Sequence, residues 1–141
     1  MGTRKRNRAN QLKEEKRNKY YATLRNCPTS PRKMRLVTDM IKGVEVNKAL
    51  DMLRYSPKEA SRKVEKLLLS AIANWQAKNE GTRIEESHLL VKETFVDQSR
   101  TLKRIQPAPQ GRAHRIKKRS NHVTIVLDSQ VVAKEVESQE K

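Results

Sequence analysis

The feature that most constrains this chain is a long strand-like pattern on either side of a turn that contains proline and glycine. Apolar residues lie at intervals of two before and after this turn, as they do in half-buried strands. These residues are Leu89, Val91 and Phe95 before the turn, and Val123, Ile125 and Leu127 after it. Between them stands the turn signal Pro107-Ala108-Pro109-Gln110-Gly111. The pattern predicts one extended hairpin over about 89–127 that folds back near Gln110.

The length of this hairpin forces its far half to project from the body. From Leu89 to Gln106 the extended chain spans roughly 60 Å, whereas a domain of about 100 residues is roughly 35 Å across. Residues 100–119 carry eight basic side chains and no acidic one. Because an isolated two-stranded ribbon is marginally stable in water, we expect a large anionic partner, such as folded RNA, to order this half.

Two groups of basic residues are candidates for binding phosphates. The hairpin group is Arg100, Lys103, Arg104, Arg112, Arg115, Lys117, Lys118 and Arg119, and the second group is Arg32, Lys33 and Arg35. The second group lies at the start of a predicted helix, where cations oppose the helix dipole. An external phosphate would explain it, and an ordinary solvated helix face is the alternative.

Charge divides the chain into a nearly balanced body with basic appendages. The net charge is +16, of which residues 1–20 contribute +6, residues 21–99 +4, residues 100–119 +8 and residues 120–141 −2. We therefore predict a basic extension over 1–19 that is disordered unless RNA-bound, one globular domain over 20–127, and an acidic flexible tail over 128–141. Such an excess of positive charge favours a polyanionic partner.

The body is predicted to be mainly helical, after a short strand at 20–24. A first helix begins at Ser30-Pro31 and ends before Gly43, and a second spans about 47–55. A third runs from a capping box, Ser56-Pro57-Lys58-Glu59, to about Asn79. Its apolar residues recur at intervals of three and four and include Trp75, which we place in the core. For Tyr20 and Tyr21, packing and nucleic-acid contact both stay open.

The sequence offers no catalytic or metal-binding constellation. His88, His114 and His122 are scattered, with no cysteine or carboxylate at ligand spacing. Cys27 is the single cysteine and has no neighbouring base in sequence. We therefore expect no enzyme activity, no metal and no cofactor. No run of about 18 apolar residues predicts a membrane span, and no secretory signal precedes the body, so we expect a cytoplasmic protein.

Several stretches resemble the large-subunit ribosomal protein family L-twenty-two in its bacterial form, over about residues 22–127. They are SPRKMRLVTDMIKG (30–43), NKALDMLRYSPKEA (47–60), KLLLSAIAN (66–74), TFVDQSRTLKRIQP (94–107) and GRAHRIKKRSNHVTIVL (111–127). The most specific are the approach to the turn and the basic return from it. The extension 1–19 and the tail 128–141 lie outside the resemblance.

The resemblance implies an α+β fold of three helices on a small three-stranded antiparallel sheet, with a long protruding basic β-hairpin. It also implies a structural role in the large ribosomal subunit, with large-subunit rRNA, neighbouring subunit proteins and the nascent polypeptide as partners. The hairpin tip would help to line the exit tunnel. By motif match, the tip region comprises Leu102, Lys103, Arg104, Pro107, Ala108, Pro109, Gln110, Gly111, Arg112 and Ala113. The family's tip is commonly more basic than this one, in which Ala108 and Gln110 stand.

Two other classes of protein also bind nucleic acid. An architectural DNA-binding protein uses paired basic β-arms with proline at the tip to enter the minor groove. Such a protein would be a homodimer, whereas the ribosomal interpretation predicts no homo-oligomer. An RNA-processing enzyme would need a carboxylate cluster, a metal site or an activated nucleophile, and the sequence offers none of these.

Overall fold

The computed structural model describes residues 2–79 and 87–129 of the chain. Four helices and three strands follow one another in this part. They are α1 (Thr3–Asn18), β1 (Tyr20–Cys27), α2 (Pro31–Ile41), α3 (Val46–Tyr55), α4 (Glu59–Lys78), β2 (Leu89–Pro107) and β3 (Ala113–Ser129). Helices α2, α3 and α4 pack against the antiparallel sheet, which confirms the predicted α+β class.

The sheet changes from three strands to two along its length. Its strand order is β1-β3-β2, and β1 pairs with β3 from Tyr20 opposite Leu127 to Cys27 opposite Asn121. Beyond this point β2 and β3 continue as a pair on their own, as far as Pro107 opposite Ala113. We call this two-stranded part, residues 99–120, the hairpin arm. The arm is the projecting half that the sequence predicted.

Helix α4 is the central element of the core. Its apolar residues at helical spacing are buried: Ala60, Val64, Leu67, Leu68, Ala71, Ile72 and Trp75. They pack with apolar residues of α2, α3 and the inner face of the sheet in one cluster. Trp75 is 1% exposed, so the prediction that its ring belongs to the core is confirmed.

The predicted capping box before α4 is wrong. The helix begins at Glu59, its N-cap residue is Lys58, and no side chain caps it. Since Glu59 is then the first helical residue rather than the third, its carboxylate cannot reach back in the way that a capping box requires. Instead Lys63 Nζ donates to Glu59 Oε1 at 2.9 Å, and this hydrogen bond lowers the pKa of the Glu59 carboxyl.

A β-bulge reverses the expected orientation of Phe95. Val91 pairs with Leu127 and Glu93 with Val126, so β2 holds one extra residue, Lys92. After the bulge Val96 faces the core, whereas Phe95 faces outward and is 49% exposed. The expectation that Phe95 continues the buried alternation is therefore wrong.

The chain begins with a basic helix. Residues 3–18, for which the sequence predicted no regular structure, form α1 with no buried residue. Nine of its 16 residues are Arg, Lys or Glu, which have high helix propensity, and this explains a helix without an apolar face. Most of the predicted acidic tail, residues 130–141, lies outside the described residues.

Candidate nucleic-acid interface

The register of the hairpin arm separates its side chains into two faces. Residues directly opposite each other in an antiparallel pair lie on the same face, and alternate residues lie on opposite faces. The cationic face holds Thr101, Lys103, Ile105, Arg115, Lys117 and Arg119. The mixed face holds Leu102, Arg104, Gln106, His114, Ile116 and Lys118. The sequence alone did not reveal this division.

All eight basic residues of the arm are exposed. No Asp or Glu occurs anywhere from residue 98 to residue 127. The four ion pairs found among the described residues all lie outside the arm. The arm therefore presents positive charge with nothing from its own strands to neutralise it, which is the electrostatic property of a phosphate-binding surface.

The cationic face works against the stability of the arm itself. Lys103 lies directly opposite Lys117, and like charges in directly opposed positions destabilise a strand pair. Along β3, Arg115, Lys117 and Arg119 follow at intervals of two residues, or roughly 6.6 Å. This interval is comparable with the separation of successive phosphates along one nucleic-acid strand. A phosphate backbone along this face would remove the repulsion and match the spacing.

The tip is a tight turn in which backbone conformation matters more than side-chain contact. Gln110 and Gly111 have positive φ angles of 62° and 70°, and the Arg112 amide donates to the Pro109 carbonyl at 3.4 Å. Two successive positive φ values identify a type I′ turn, the form that suits the twist of a two-residue hairpin. The turn therefore lies where the sequence predicted it.

The ten residues predicted for the tip region are not all at the tip. Residues 107–113 form the turn and the last pair of the arm. Leu102, Lys103 and Arg104 pair with residues 118, 117 and 116 in the middle of the arm. Leu102 is five residues before Pro107, or roughly 17 Å along the strand. These three side chains thus belong to the shaft of the arm.

The structure separates the three basic residues that the sequence grouped at the start of α2, Arg32, Lys33 and Arg35. Arg32 and Arg35 of α2 line one shallow pocket of about 410 Å³ together with Arg119 of the arm, so two groups that are distant in sequence meet at the root of the arm. Arg35 also donates from Nη2 to the Val96 carbonyl at 3.0 Å, and this bond ties α2 to β2. Lys33 does not line this pocket; its charge acts on Glu59 instead and contributes to the lowered pKa of that carboxyl.

A hydrogen-bond network at the root of the arm was missed by the sequence argument. The backbone amide of Asn26 donates to His122 Nδ1 at 3.1 Å. Ser99 Oγ donates to the side-chain oxygen of Asn26, Oδ1, at 2.9 Å. Asn26 has a φ of 55°, a conformation that asparagine tolerates better than most residues. The network joins the end of β1 to His122 of β3 and to Ser99, the first residue of the arm.

The part of the chain that the structure describes contains neither a metal-ligating cluster nor a helix that could span a membrane. Among residues 2–79 and 87–129, no group of three or more histidine, cysteine or acidic residues is arranged to hold a metal ion. In the same part of the chain, none of the helices combines the length and apolar character that crossing a bilayer requires.

Comparison with known proteins gives one consistent family. The family described as Ribosomal protein L22p/L17e matches residues 22–128. The large ribosomal subunit protein uL22 of Christiangramia forsetii is 64% identical over 127 residues, which are 90% of this chain and 94% of that protein. The protein of the same name from Porphyromonas gingivalis is 60% identical over 129 residues, which are 92% of this chain and 96% of that protein. The match spans the body and the whole hairpin arm, and the chain belongs to the Ribosomal protein L22p/L17e family.

Proposed function

We propose that this protein is a structural constituent of the large ribosomal subunit, where it binds large-subunit rRNA and aids assembly of the subunit. The observation that carries the proposal is the hairpin arm, an exposed ribbon with eight cations and no carboxylate. Relatives at about 60% identity are named as large ribosomal subunit proteins, which supports the same assignment. The role is that of a scaffold in the cytoplasmic ribosome and includes no catalysis.

The arm is proposed to act by joining RNA segments that face its two sides. The cationic face would neutralise a phosphate backbone, and Arg104 and Lys118 on the mixed face would contact a second segment. At the root of the arm, the pocket shared by Arg32, Arg35 and Arg119 offers a third position for a phosphate. Contacts on several sides explain why the arm has no core of its own: the surrounding RNA supplies the packing.

The assignment is tested by sedimentation of a cell extract at low and at high salt, with the chain followed by antibody. Loose electrostatic binding weakens steeply with salt, because each neutralised phosphate releases counterions, whereas an arm enclosed by folded RNA stays bound. We expect the chain to remain with the large subunit at high salt. Migration away from that peak, or with DNA, would contradict the proposal and favour the architectural alternative.

We further propose that the tip, residues 107–113, helps to line the tunnel through which the nascent polypeptide leaves. The tip is the part of the arm farthest from the body, and its exposed Ala113 has room for a chemical probe. The less basic composition of this tip would make its surface less repulsive to basic nascent chains. Neighbouring subunit proteins would contact the exposed surface of the body.

The tunnel proposal is tested with a cysteine-linked photo-crosslinker at Ala113→Cys in assembled ribosomes with a stalled nascent chain. The native Cys27 is buried, so the introduced thiol is the reactive one. Tyr55→Cys, on the exposed end of α3, is the matched control. We expect the nascent chain to cross-link from position 113 and not from position 55. Equal yields from the two positions would refute the tunnel assignment.

A further inference from the structure

A second basic region lies away from the hairpin arm, where α1, the free edge of β1 and the end of α4 meet. A shallow groove of about 790 Å³ opens there, which we call the junction groove. Its lining includes the cations Lys16, Arg17, Lys19, Arg25 and Lys78, together with Tyr21. Among residues 2–79 and 87–129, no Asp or Glu lines it, so none of these residues supplies a carboxylate to neutralise its positive charge.

Lys78 at the end of α4 holds the last residues of α1 beside the groove. Lys78 Nζ donates to the Arg17 carbonyl at 2.7 Å and to the Lys19 carbonyl at 3.0 Å. These bonds satisfy carbonyls at the end of α1, which the helix itself leaves unpaired. They use two of the three donors of the ammonium group. The side chains of Lys16, Arg17, Lys19 and Arg25 form no ion pair within the described residues and stay available to a ligand.

The two adjacent tyrosines of β1 have different roles. The Tyr20 ring packs edge-on against Trp75, with 6.4 Å between the ring centroids, and its hydroxyl donates to Asn79 Oδ1 at 3.2 Å. Tyr20 is therefore held within the body. Tyr21 lines the junction groove and is 44% exposed. Of the two candidates that the sequence left open, only Tyr21 presents a ring to an external partner.

Helix α1 shows what kind of partner the groove fits. It carries seven basic and two acidic residues, and none of its residues is buried. Without an apolar stripe it offers nothing to a partner helix or to the interior of a membrane surface. Cations around an exposed aromatic ring are the combination with which proteins bind single-stranded nucleic acid: the cations follow the phosphates and the ring stacks on a base.

We propose that the junction groove is a second RNA-binding site, which takes an unpaired RNA segment with one base stacked on Tyr21. Lys16, Arg17, Lys19 and Arg25 contact its phosphates. The inference rests on the proposed function for the identity of the partner as RNA. It does not depend on the hairpin arm, because the groove and the arm share no residue.

The first test is ultraviolet cross-linking of the full-length protein to a 12-nucleotide oligouridylate, with the modified residue identified by mass spectrometry. Because the product reports the residue in contact, binding by the arm cannot hide the result. We expect a uridine adduct on Tyr21 and none on Tyr20 or Tyr55. A protein that yields adducts in the arm but none on Tyr21 would overturn the inference.

The second test measures affinity for the same oligouridylate. Tyr21→Leu should weaken binding roughly 5- to 150-fold, the range expected for loss of one stacked base. Tyr55→Leu is the matched control, since Tyr55 is 87% exposed but lies outside the groove, and it should leave the affinity unchanged. Unfolding by urea verifies that both variants are folded. Equal affinities of the two variants would count against the site.

The third test separates this inference from the proposed function. Lys16→Gln with Arg25→Gln should lower the slope of log affinity against log salt by about 1.4, because two phosphate contacts to a single strand are lost. Lys103→Gln with Lys117→Gln in the arm should weaken binding to large-subunit rRNA and leave the Tyr21 adduct in place. If the arm variant loses rRNA binding and the groove variant behaves as the native protein does, the proposed function stands and the groove site is rejected. A Tyr21 adduct, together with an arm variant that still binds rRNA normally, would support the groove and contradict the proposed role of the arm.

Discussion

At the scale of single residues, two neighbouring leucines of α4 differ in how deeply they are buried. Leu68 of α4 is completely buried, whereas Leu69 is 46% exposed. Helical geometry explains the contrast, because a step of one residue turns the side chain by about 100° and carries it out of the apolar stripe. The identity of a residue therefore says less about its contribution to stability than its position relative to the sheet.

Replacement of Leu68 by Ala should lower the free energy of unfolding by about 2–5 kcal/mol, since the packed core around α4 cannot fully close the cavity. Replacement of Leu69 by Ala should change it by about 0.5 kcal/mol or less. Urea unfolding followed by the fluorescence of Trp75, the only tryptophan, measures both. A cost for Leu69→Ala as large as that for Leu68→Ala would be inconsistent with the packing of α4.

The pair of Glu59 and Lys63 makes stability depend on pH. The hydrogen bond from Lys63 lowers the pKa of Glu59 from its ordinary value of 4.5, so the folded state favours the ionised carboxyl. This contribution is present above about pH 4.5 and is lost as the pH falls through the folded pKa. The difference in unfolding free energy between the native protein and Glu59→Gln should therefore shrink between about pH 6 and pH 3. If the difference in unfolding free energy between the two proteins stays constant over this range, the Glu59–Lys63 pair is not a source of pH-dependent stability.

At the scale of elements, the hairpin arm and α1 share one property: neither has a core. Each is an element of regular secondary structure whose side chains are almost all exposed and whose charged residues are mainly basic. A helix of this length is marginal in water without packing, and so is a two-stranded ribbon. We therefore expect both elements to gain most of their order from the partner that neutralises them.

Neutralising the opposed pair Lys103 and Lys117 should have opposite effects on the free protein and on the complex. Lys103→Gln with Lys117→Gln removes a cross-strand repulsion, so the arm of the free protein should become better ordered, with stronger cross-strand nuclear Overhauser effects. Affinity for rRNA should fall, because two phosphate contacts are lost. An arm that loses both order and affinity would show that these lysines stabilise the ribbon rather than bind phosphate.

At the scale of the whole molecule, stability and binding reside in different parts. The core cluster consists of residues from the helical body and the three-stranded part of the sheet, and it contains no residue of the arm. The arm holds half of the net charge, +8 of +16. Removal of the arm should therefore relieve self-repulsion without removing core packing.

A variant in which Asn-Gly replaces residues 99–120 joins Gln98 to Asn121, which are paired across β2 and β3. The Asn-Gly sequence favours the type I′ turn that such a short connection needs. We expect the unfolding free energy of this variant to lie within about 1 kcal/mol of that of the native chain, while its affinity for large-subunit rRNA falls steeply. Global unfolding of the variant would show that the arm contributes to the body after all.

The sequence by itself determined the elements that depend on local pattern and on charge. The periods of two and of about 3.6 gave the strands and the three helices of the body, because a residue's neighbours in sequence fix which side of an element it faces. The run of cations without carboxylates from Arg100 to Arg119 predicted the arm and a polyanionic partner for it. The turn at Gln110 and Gly111 was likewise predicted from the local sequence alone.

Only the tertiary structure decided the features that depend on register and on contacts between distant segments. One extra residue at the bulge reverses the side chains of β2 that follow it, as far as the second register shift between Gln98 and Thr101. This is why Phe95 faces outward, and no pattern of single residues revealed it. Tertiary packing also brings Arg35 close to Arg119, and it gives Tyr20 and Tyr21 different environments. Each depends on where α2 and α4 pack against the sheet, and packing between segments far apart in the chain leaves no mark on the local periodicity of either one.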